Sequence, residues 1–401
     1  MRVVNIIYNG DLKEIQGINK VTESLIRGRD RFAINGIDLQ RVITNKQTII
    51  CSEYKESIIG NNLNTIKQKT SRKARVLLKN LNILRNKYGD ALKIYLNFIK
   101  PAKEAISNYS NQNLHSDVLI FQDIFSAYYY QKHSKGSVKS ILILHGTEEP
   151  WSQLILSYPN IKNTIFEHKL NQMLSHVLLN VNKVVFVSKQ PIIEMKKKYD
   201  SDFEYIYNGI EDIIGVAERK YDKSEKLKFV IVGSVNGRKG QKLLVEAVTL
   251  LPDKYKNRLE INIVGSGSDL EEIKNKVEIL NLESNFVFWG DRIDVAEILN
   301  SMDIYILPSE NEALPISIIE AMRAGLPIVA TPVGGIPEMI DDNINGILIK
   351  RNPEAVAEVI MNFIDGKVNL KNMGEMSRKQ YETLFHIDAM ISKYAYLLNS
   401  L

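Results

Sequence analysis

Asp303-Ile304-Tyr305-Ile306-Leu307, then Pro308-Ser309-Glu310-Asn311-Glu312-Ala313-Leu314-Pro315, then Ile316-Ser317-Ile318-Ile319-Glu320-Ala321-Met322-Arg323-Ala324-Gly325, reads as a strand, a loop and a helix in succession. The β-branched and aromatic run stops at the breaker pair Pro308-Ser309. Pro315 suits the first helical position, where its missing N–H is expendable and its φ is preset. Gly325 ends the helix. Glu312 then hangs in a loop at the C-terminal edge of a strand, and Glu320 lies about two turns further on, inside the helix. Open parallel sheets bind ligands at that edge. The N–H groups of Ile316, Ser317 and Ile318 are expected to point at such a ligand. A plainer reading makes Glu320 a surface helix residue and Glu312 a carboxylate drawn to the helix dipole.

Outward from this stretch the whole C-terminal half alternates in the same way. Strands are expected at Leu227–Val232, Leu259–Val264, Phe286–Trp289, Asp303–Leu307, Pro327–Thr331 and Gly346–Ile349. Helices are expected between them at Gln241–Leu251, Asp269–Leu280, Val295–Ser301, Ile316–Ala324 and Ile336–Ile340, with Pro353–Ile364 after the last. Strands joined by helices of this length imply right-handed crossovers and a parallel sheet covered on both faces. The N-terminal half repeats the pattern more loosely, with strands at Val3–Tyr8, Asp38–Thr44, Thr48–Cys51, Val118–Phe121, Ser140–Leu144, Lys183–Val187 and Glu204–Ile206. A helix from about Lys20 to Arg27 follows a loop with Gly17, and a last helix is expected from Gln380 to Leu401. A hinge near Tyr207-Asn208-Gly209-Ile210 would join two Rossmann-like α/β domains facing a central cleft.

At 401 residues, 44% hydrophobic and 25% charged, the chain can build two ordinary cores. Cys51 is the sole cysteine, so no internal disulfide can form, and a reducing cytosol fits. No apolar run nears the ~18–20 residues of a spanning helix, and a soluble, cytoplasmic protein is expected. The net charge of +5 is unevenly placed. Lys67, Lys69, Arg72, Lys73, Arg75, Lys79, Arg85, Lys87, Lys93, Lys100 and Lys103 face Asp90 alone, with apolar residues interleaved at helical spacing. Such a 65–103 stretch can lie on an anionic membrane at the inner face of the plasma membrane, or form a solvated helical face. A nucleic-acid patch lacks any supporting motif.

Two turns in the C-terminal half suit phosphate. After Val230-Ile231-Val232-Gly233 comes Ser234-Val235-Asn236-Gly237-Arg238-Lys239-Gly240 and then a helix. Helix N-termini favour anions, and adjacent Arg and Lys would suit a diphosphate. Val264-Gly265-Ser266-Gly267 is a second, weaker turn of that kind. Here Glu312 could accept sugar hydroxyls and Glu320 a ribose diol. Asp200-Ser201-Asp202 spells the metal-binding string D-x-D, but it stands in a polar turn away from these loops and is read as chance.

Glu312-x7-Glu320, with Ala321-Met322-Arg323-Ala324-Gly325-Leu326-Pro327 and Val333-Gly334-Gly335-Ile336-Pro337-Glu338, resembles the signature of glycosyltransferase family 4, the retaining group 1 enzymes of GT-B fold. The resemblance extends through Arg238-Lys239-Gly240, Gly265-Ser266-Gly267 and Trp289-Gly290, and thinly through Leu144-His145-Gly146-Thr147 and Phe186-Val187-Ser188. It implies an acceptor domain at 1–208, a nucleotide-sugar domain at 209–380, and a helix 381–401 that packs back on the first. It implies that Arg238 and Lys239 neutralise the leaving diphosphate. Glu312 would bind the donor sugar, Ala313, Leu314, Pro315 and Ile316 would line its pocket, and Glu320 would hold the ribose. Asp291 and Arg292 would sit beside the base, Gly17 and Gly265 near the donor, and His145 would reach the transferred sugar from across the cleft. Ser234, Pro315 and Gln16-Gly17 depart from the usual family pattern. No cofactor or metal is implied; the partners are a nucleotide sugar, UDP-linked on family grounds, and a glycan or lipid-linked acceptor. A protein acceptor, or a catalytically silent partner subunit or glycan-binding protein with the same fold, is the alternative. A glycosidase, which also uses two carboxylates, fits Glu320's helix-interior place less well.

Overall fold

The computed structural model describes residues 1–8, 17–53, 86–134, 138–146, 150–213 and 226–401. The chain divides into two compact units: Met1–Tyr207 with Met390–Leu401, and Asn208–Ala389.

In the first unit seven strands lie in the order β3-β2-β1-β4-β5-β6-β7. They are β1 Arg2–Ile7, β2 Ile37–Ile43, β3 Thr48–Ile50, β4 Val118–Phe121, β5 Lys139–Leu144, β6 Lys183–Phe186 and β7 Phe203–Tyr205. All pairs are parallel except β2–β3, which is antiparallel. Val118, Leu119, Ile120 and Phe121 are all buried, as are Ile141 to Leu144. Such unbroken apolar runs mark strands covered on both faces. The helix Ile124–His133 starts at Asp123, whose carboxylate accepts from Ser126 N at 2.8 Å.

Of the basic 65–103 stretch, residues 65–85 lie outside the described residues. The remainder forms a helix Lys87–Ile94, a π-helical turn Tyr95–Ile99 and a helix Lys100–Asn111. One face is core: Ile94, Ile99, Ala102, Ala105, Ile106 and Tyr109 pack among Phe121, Phe125 and Tyr130. Tyr88 and Leu92 stay exposed on the other.

The second unit is a parallel six-stranded sheet, order β10-β9-β8-β11-β12-β13. Its strands are β8 Leu227–Val232, β9 Leu259–Val264, β10 Phe286–Gly290, β11 Ile304–Leu307, β12 Ile328–Ala330 and β13 Gly346–Leu348. Strand order reverses between β8 and β11, so the loops leaving these two strands flank the crevice where such sheets take ligands.

Two local expectations need correction. Pro315 is the residue before the helix, with ψ of 116°, and Ile316 is the first helical residue. Ile318 N donates to Pro315 O at 3.0 Å and so is not offered to a ligand. The C-terminal segment is also not one helix from Gln380. The helix Leu370–Gln380 passes through a π-helical turn, Tyr381–Phe385, breaks at extended His386, and resumes as Ile387–Ser400. The break is made by Ile210, whose N–H donates to Phe385 O and whose carbonyl accepts from Ile387 N.

Candidate functional site

Gly240 brings the two crevice loops together. It begins the helix Gln241–Thr249 with φ of 85°, and a Cβ there would lie 2.4 Å from Pro308 O, just after β11. Only glycine accepts both the left-handed backbone and that approach. Glu310 N then donates to Arg238 O at 2.8 Å, tying the loop after β11 to the loop after β8.

Glu312 is held at this junction by three donors on one oxygen. Its Oε1 lies 2.6 Å from Lys239 Nζ, 2.9 Å from Arg238 Nη1 and 2.9 Å from Ser309 Oγ. Arg238 Nη1 also donates to Asn311 O at 2.6 Å. Glu312 is 7% exposed and Lys239 8%, while Arg238 is only half-buried. Burial lowers the Lys239 pKa, and Arg238 adds to that, whereas Glu312 pulls it back up. A desolvated ammonium of this kind gains strongly from any added anion. Ala313 O accepts from Gly335 N at 2.8 Å, and Leu314 and Ile316 are buried, so the backbone leading into the helix is fixed.

The helix Ile316–Arg323 starts beside this cluster. The N–H groups of Ile316 and Ser317 are among those a helix cannot satisfy itself. Beneath them the hydroxyl of Tyr305, from β11, donates to Ser317 Oγ at 2.7 Å. Burial pushes that phenol up, so it stays a neutral donor. Glu320, 8% exposed, lies further along the same helix and supports the charge of the half-buried Arg323. It is therefore not the ordinary surface residue of the plainer reading.

The loops after β9 and β10 form a second cluster. Gly265 takes φ of 131°, and a Cβ there would lie 2.1 Å from Gly233 O, so this turn too requires glycine. Ser266 Oγ donates to Asp291 Oδ2 at 2.6 Å, and the Arg292 guanidinium sits 5.6 Å from the Trp289 ring centre while pairing with Asp294. Asp291 and Arg292 are exposed at the surface of the loop.

Two predicted residues belong to the first unit. Gly17 opens the helix Gly17–Arg27. His145 directly follows β5, and its Nε2 lies 2.7 Å from Gln122 Oε1. Burial pushes the His145 pKa down to about 4, so the ring is neutral near neutral pH. Asp200-Ser201-Asp202 is a structural turn: Asp202 pairs with Lys183 at 2.5 Å and Ser201 Oγ donates to Leu178 O. Ser309, Gln122 and Tyr305 were not singled out from sequence. Ser309 reads there only as half of a loop-breaking pair, and the other two end or sit within apolar strand runs.

Residues 216–380 match the family model described as "Glycosyl transferases group 1". Over that segment, which lies within the second unit, the chain is similar to the group 1 glycosyl transferases. A similar protein is N-acetyl-alpha-D-glucosaminyl L-malate synthase of Bacillus anthracis, 27% identical over 266 residues, which are 64% of this chain and 66% of that protein. Another is the poly(ribitol-phosphate) alpha-N-acetylglucosaminyltransferase of Staphylococcus aureus, 25% identical over 300 residues, or 68% of this chain and 58% of that one. The chain spans between 52% and 66% of the length of the first curated relatives it matches. The crystal structure of Anabaena HepE with UDP aligns over 100% of both chains, with a TM-score of 0.67 at 15% identity. That likeness shows the fold, GT-B with its two Rossmann-like units. The group 1 match covers the Arg238–Lys239–Glu312 cluster, Glu320, and the loops after β9 and β10.

Proposed function

We propose that this protein is a glycosyltransferase of family 4 that moves a hexosyl group, with retention, from a UDP-linked sugar to a glycan, lipid-linked or other acceptor in surface polysaccharide or glycoconjugate synthesis. The observation that carries this reading is the convergence of Arg238, Lys239 and Ser309 on Glu312 beside a helix N-terminus. HepE was crystallised with UDP, and the Staphylococcus aureus relative is named for a transfer to a poly(ribitol-phosphate) polymer. Both support the choice of donor and of acceptor class.

As the glycosidic bond breaks, charge grows on the departing diphosphate and the sugar becomes oxocarbenium-like. Cations and N–H groups already aimed at that charge supply most of the barrier lowering. Arg238 and Lys239 would turn from Glu312 to the phosphates, assisted by the N–H groups of Ile316 and Ser317. Glu312, released from the cations, would accept hydroxyls of the transferred sugar, and Glu320 the ribose diol. His145 would contribute as a neutral imidazole. Two cations at the diphosphate make a metal unnecessary in this scheme. Among the described residues no helix is long and apolar enough to cross a membrane. The exposed Tyr88 and Leu92, with Lys87 beside them, support peripheral contact with an anionic membrane on its cytoplasmic face.

The test is a thermal-shift panel of UDP-, GDP- and ADP-sugars, followed by a transfer assay with EDTA present. UDP-sugar binding and metal-independent release of UDP are the expected results. No binding by any donor would overturn the reading. Glu320→Ala should weaken UDP about 10- to 100-fold, the scale of a lost charged hydrogen bond, and unchanged affinity would remove the ribose assignment.

A further inference from the structure

Gln122 leaves β4 next to the strand that carries His145, and β4 and β5 run parallel with Phe121 opposite Leu142. Its backbone is pinned on both sides. Gln122 N donates to Ile7 O of β1 at 3.1 Å, and Asp123, the next residue, caps the following helix. The side chain is 4% exposed and its Oε1 lies 2.7 Å from His145 Nε2. Its other arm, Nε2, is buried with no hydrogen-bond partner among the described residues. A sealed amide N–H without an acceptor is rare in folded proteins and points to a group that arrives later.

We propose that Gln122 is a positioning residue for His145: its carboxamide oxygen holds the ring in the Nε2–H tautomer, which turns Nδ1 into a hydrogen-bond acceptor, while its own Nε2–H is kept for an oxygen of the bound sugar or acceptor. A neutral imidazole has one donor and one acceptor, and the bond made by one nitrogen sets the role of the other. The opposite amide orientation would force Nδ1–H instead and leave a carbonyl oxygen sealed. Each orientation therefore makes a distinct, measurable statement about His145. This inference rests on the transfer reading above for its kinetic consequences, but not for the tautomer.

The experiment uses the full chain labelled with ¹⁵N-histidine, and compares wild type with Gln122→Leu and Gln122→Glu. Long-range ¹H–¹⁵N spectra should give the Nε2–H tautomer in wild type and in Gln122→Glu, which keeps an oxygen acceptor. Gln122→Leu, of similar volume, should show mixed tautomers. With a UDP-sugar donor, Gln122→Leu should lower kcat about 10- to 100-fold, the scale of one lost hydrogen bond to the reacting groups, with the UDP Kd unchanged within about twofold. Gln122→Glu keeps the acceptor for His145 but lacks the Nε2–H, so it should recover only the part of that loss that comes from the tautomer. An Nδ1–H tautomer in wild type overturns the proposal. So does a Gln122→Leu protein that is folded by its spectrum and keeps both the wild-type tautomer and kcat. A wild-type chain that binds no nucleotide sugar refutes the transfer reading, and the tautomer arm still decides this one.

Discussion

Glu312→Gln separates charge from shape at the centre of the site. The amide keeps an acceptor for Ser309 and for both cations, so the hydrogen-bond count is nearly preserved while the negative charge is lost. Lys239, 8% exposed and 2.6 Å from the carboxylate, then has no counter-ion. Two unit charges at that distance attract by roughly 6 kcal/mol at an effective dielectric of 20. Relief of the carboxylate's own desolvation offsets part of this, and the half-exposed Arg238 adds little because solvent screens it. Breaking a buried pair at one end costs about 3–5 kcal/mol, so about 3 kcal/mol is the expected loss. For a unit of this size that is a fall of roughly 6–12 °C in Tm. Lys239→Met should cost a similar amount, and the double variant much less than the sum, with a coupling of at least about 2 kcal/mol. Saturating UDP, worth about 2.7 kcal/mol to wild type at 100 times Kd, should stabilise Glu312→Gln by more, because its cations are free for the diphosphate, while sugar transfer falls. Urea denaturation of the four proteins with and without UDP measures every term. Additive losses, or a Glu312→Gln loss below about 1 kcal/mol, would refute the reasoning.

Because burial depresses the Lys239 pKa and a diphosphate would raise it, UDP binding should take up a proton, with affinity falling as pH rises through the depressed value; calorimetry in buffers of different ionisation enthalpy would detect it, and pH-independent binding would exclude it. Gly240→Ala meets both a left-handed φ and Pro308 O at 2.4 Å, and should lose more than about 2 kcal/mol in denaturant titration; a loss under about 0.5 kcal/mol would contradict that. Arg378→Ala removes the pairs to Asp212 and Glu382, and a loss of about 1–2 kcal/mol is expected at pH 7. The Arg378 hydrogen bond is the main cause of the lowered Asp212 pKa, so this deficit should be full above about pH 4 and shrink as pH falls through the folded value; a deficit that persists in acid would count against the pair. His145 also weakens stability in acid, over a higher window: its pKa drops from 6.5 to about 4 on folding, so stability rises with pH across that window and is complete above it, by up to roughly 3 kcal/mol. His145→Gln should flatten this slope relative to wild type, and an unchanged slope would refute the burial argument.

Much of the fold is legible in the chain itself, for a physical reason. Strands covered on both faces are unbroken apolar runs between breakers, and Leu227–Val232, Leu259–Val264 and Val118–Phe121 lie where such runs stand. Pro353–Ile364 has an Asn352 cap and a proline in its first turn, both local signals. The meeting of Arg238, Lys239 and Glu312 follows from the order reversal at β8 and β11, so motif and topology point to one place. Other features depend on partners distant in sequence. Nothing near Phe385 announces a break that Ile210 imposes, and nothing near Phe121 says that Gln122 will meet His145. Pro315 lies one position earlier than its helix-starting chemistry suggests, because its extended ψ lets its carbonyl take the first hydrogen bond from Ile318.

The first unit is discontinuous, and this orders its assembly in time. Met390, Ile391, Tyr394, Leu397 and Leu398 are buried, Arg2 Nη1 donates to Leu398 O at 2.7 Å, and Leu398 lines the same cavity as Val4 and Ile6 of β1. During synthesis, β1 leaves the ribosome long before the helix that closes over it. The second unit, Asn208–Ala389, is contiguous and can complete its core first, although it is translated later. The apolar edge around Val4, Leu25 and Phe32 must meanwhile wait uncovered until the ribosome has passed residue 398. The N-terminal half is therefore the part that keeps apolar surface exposed longest while the chain is still growing.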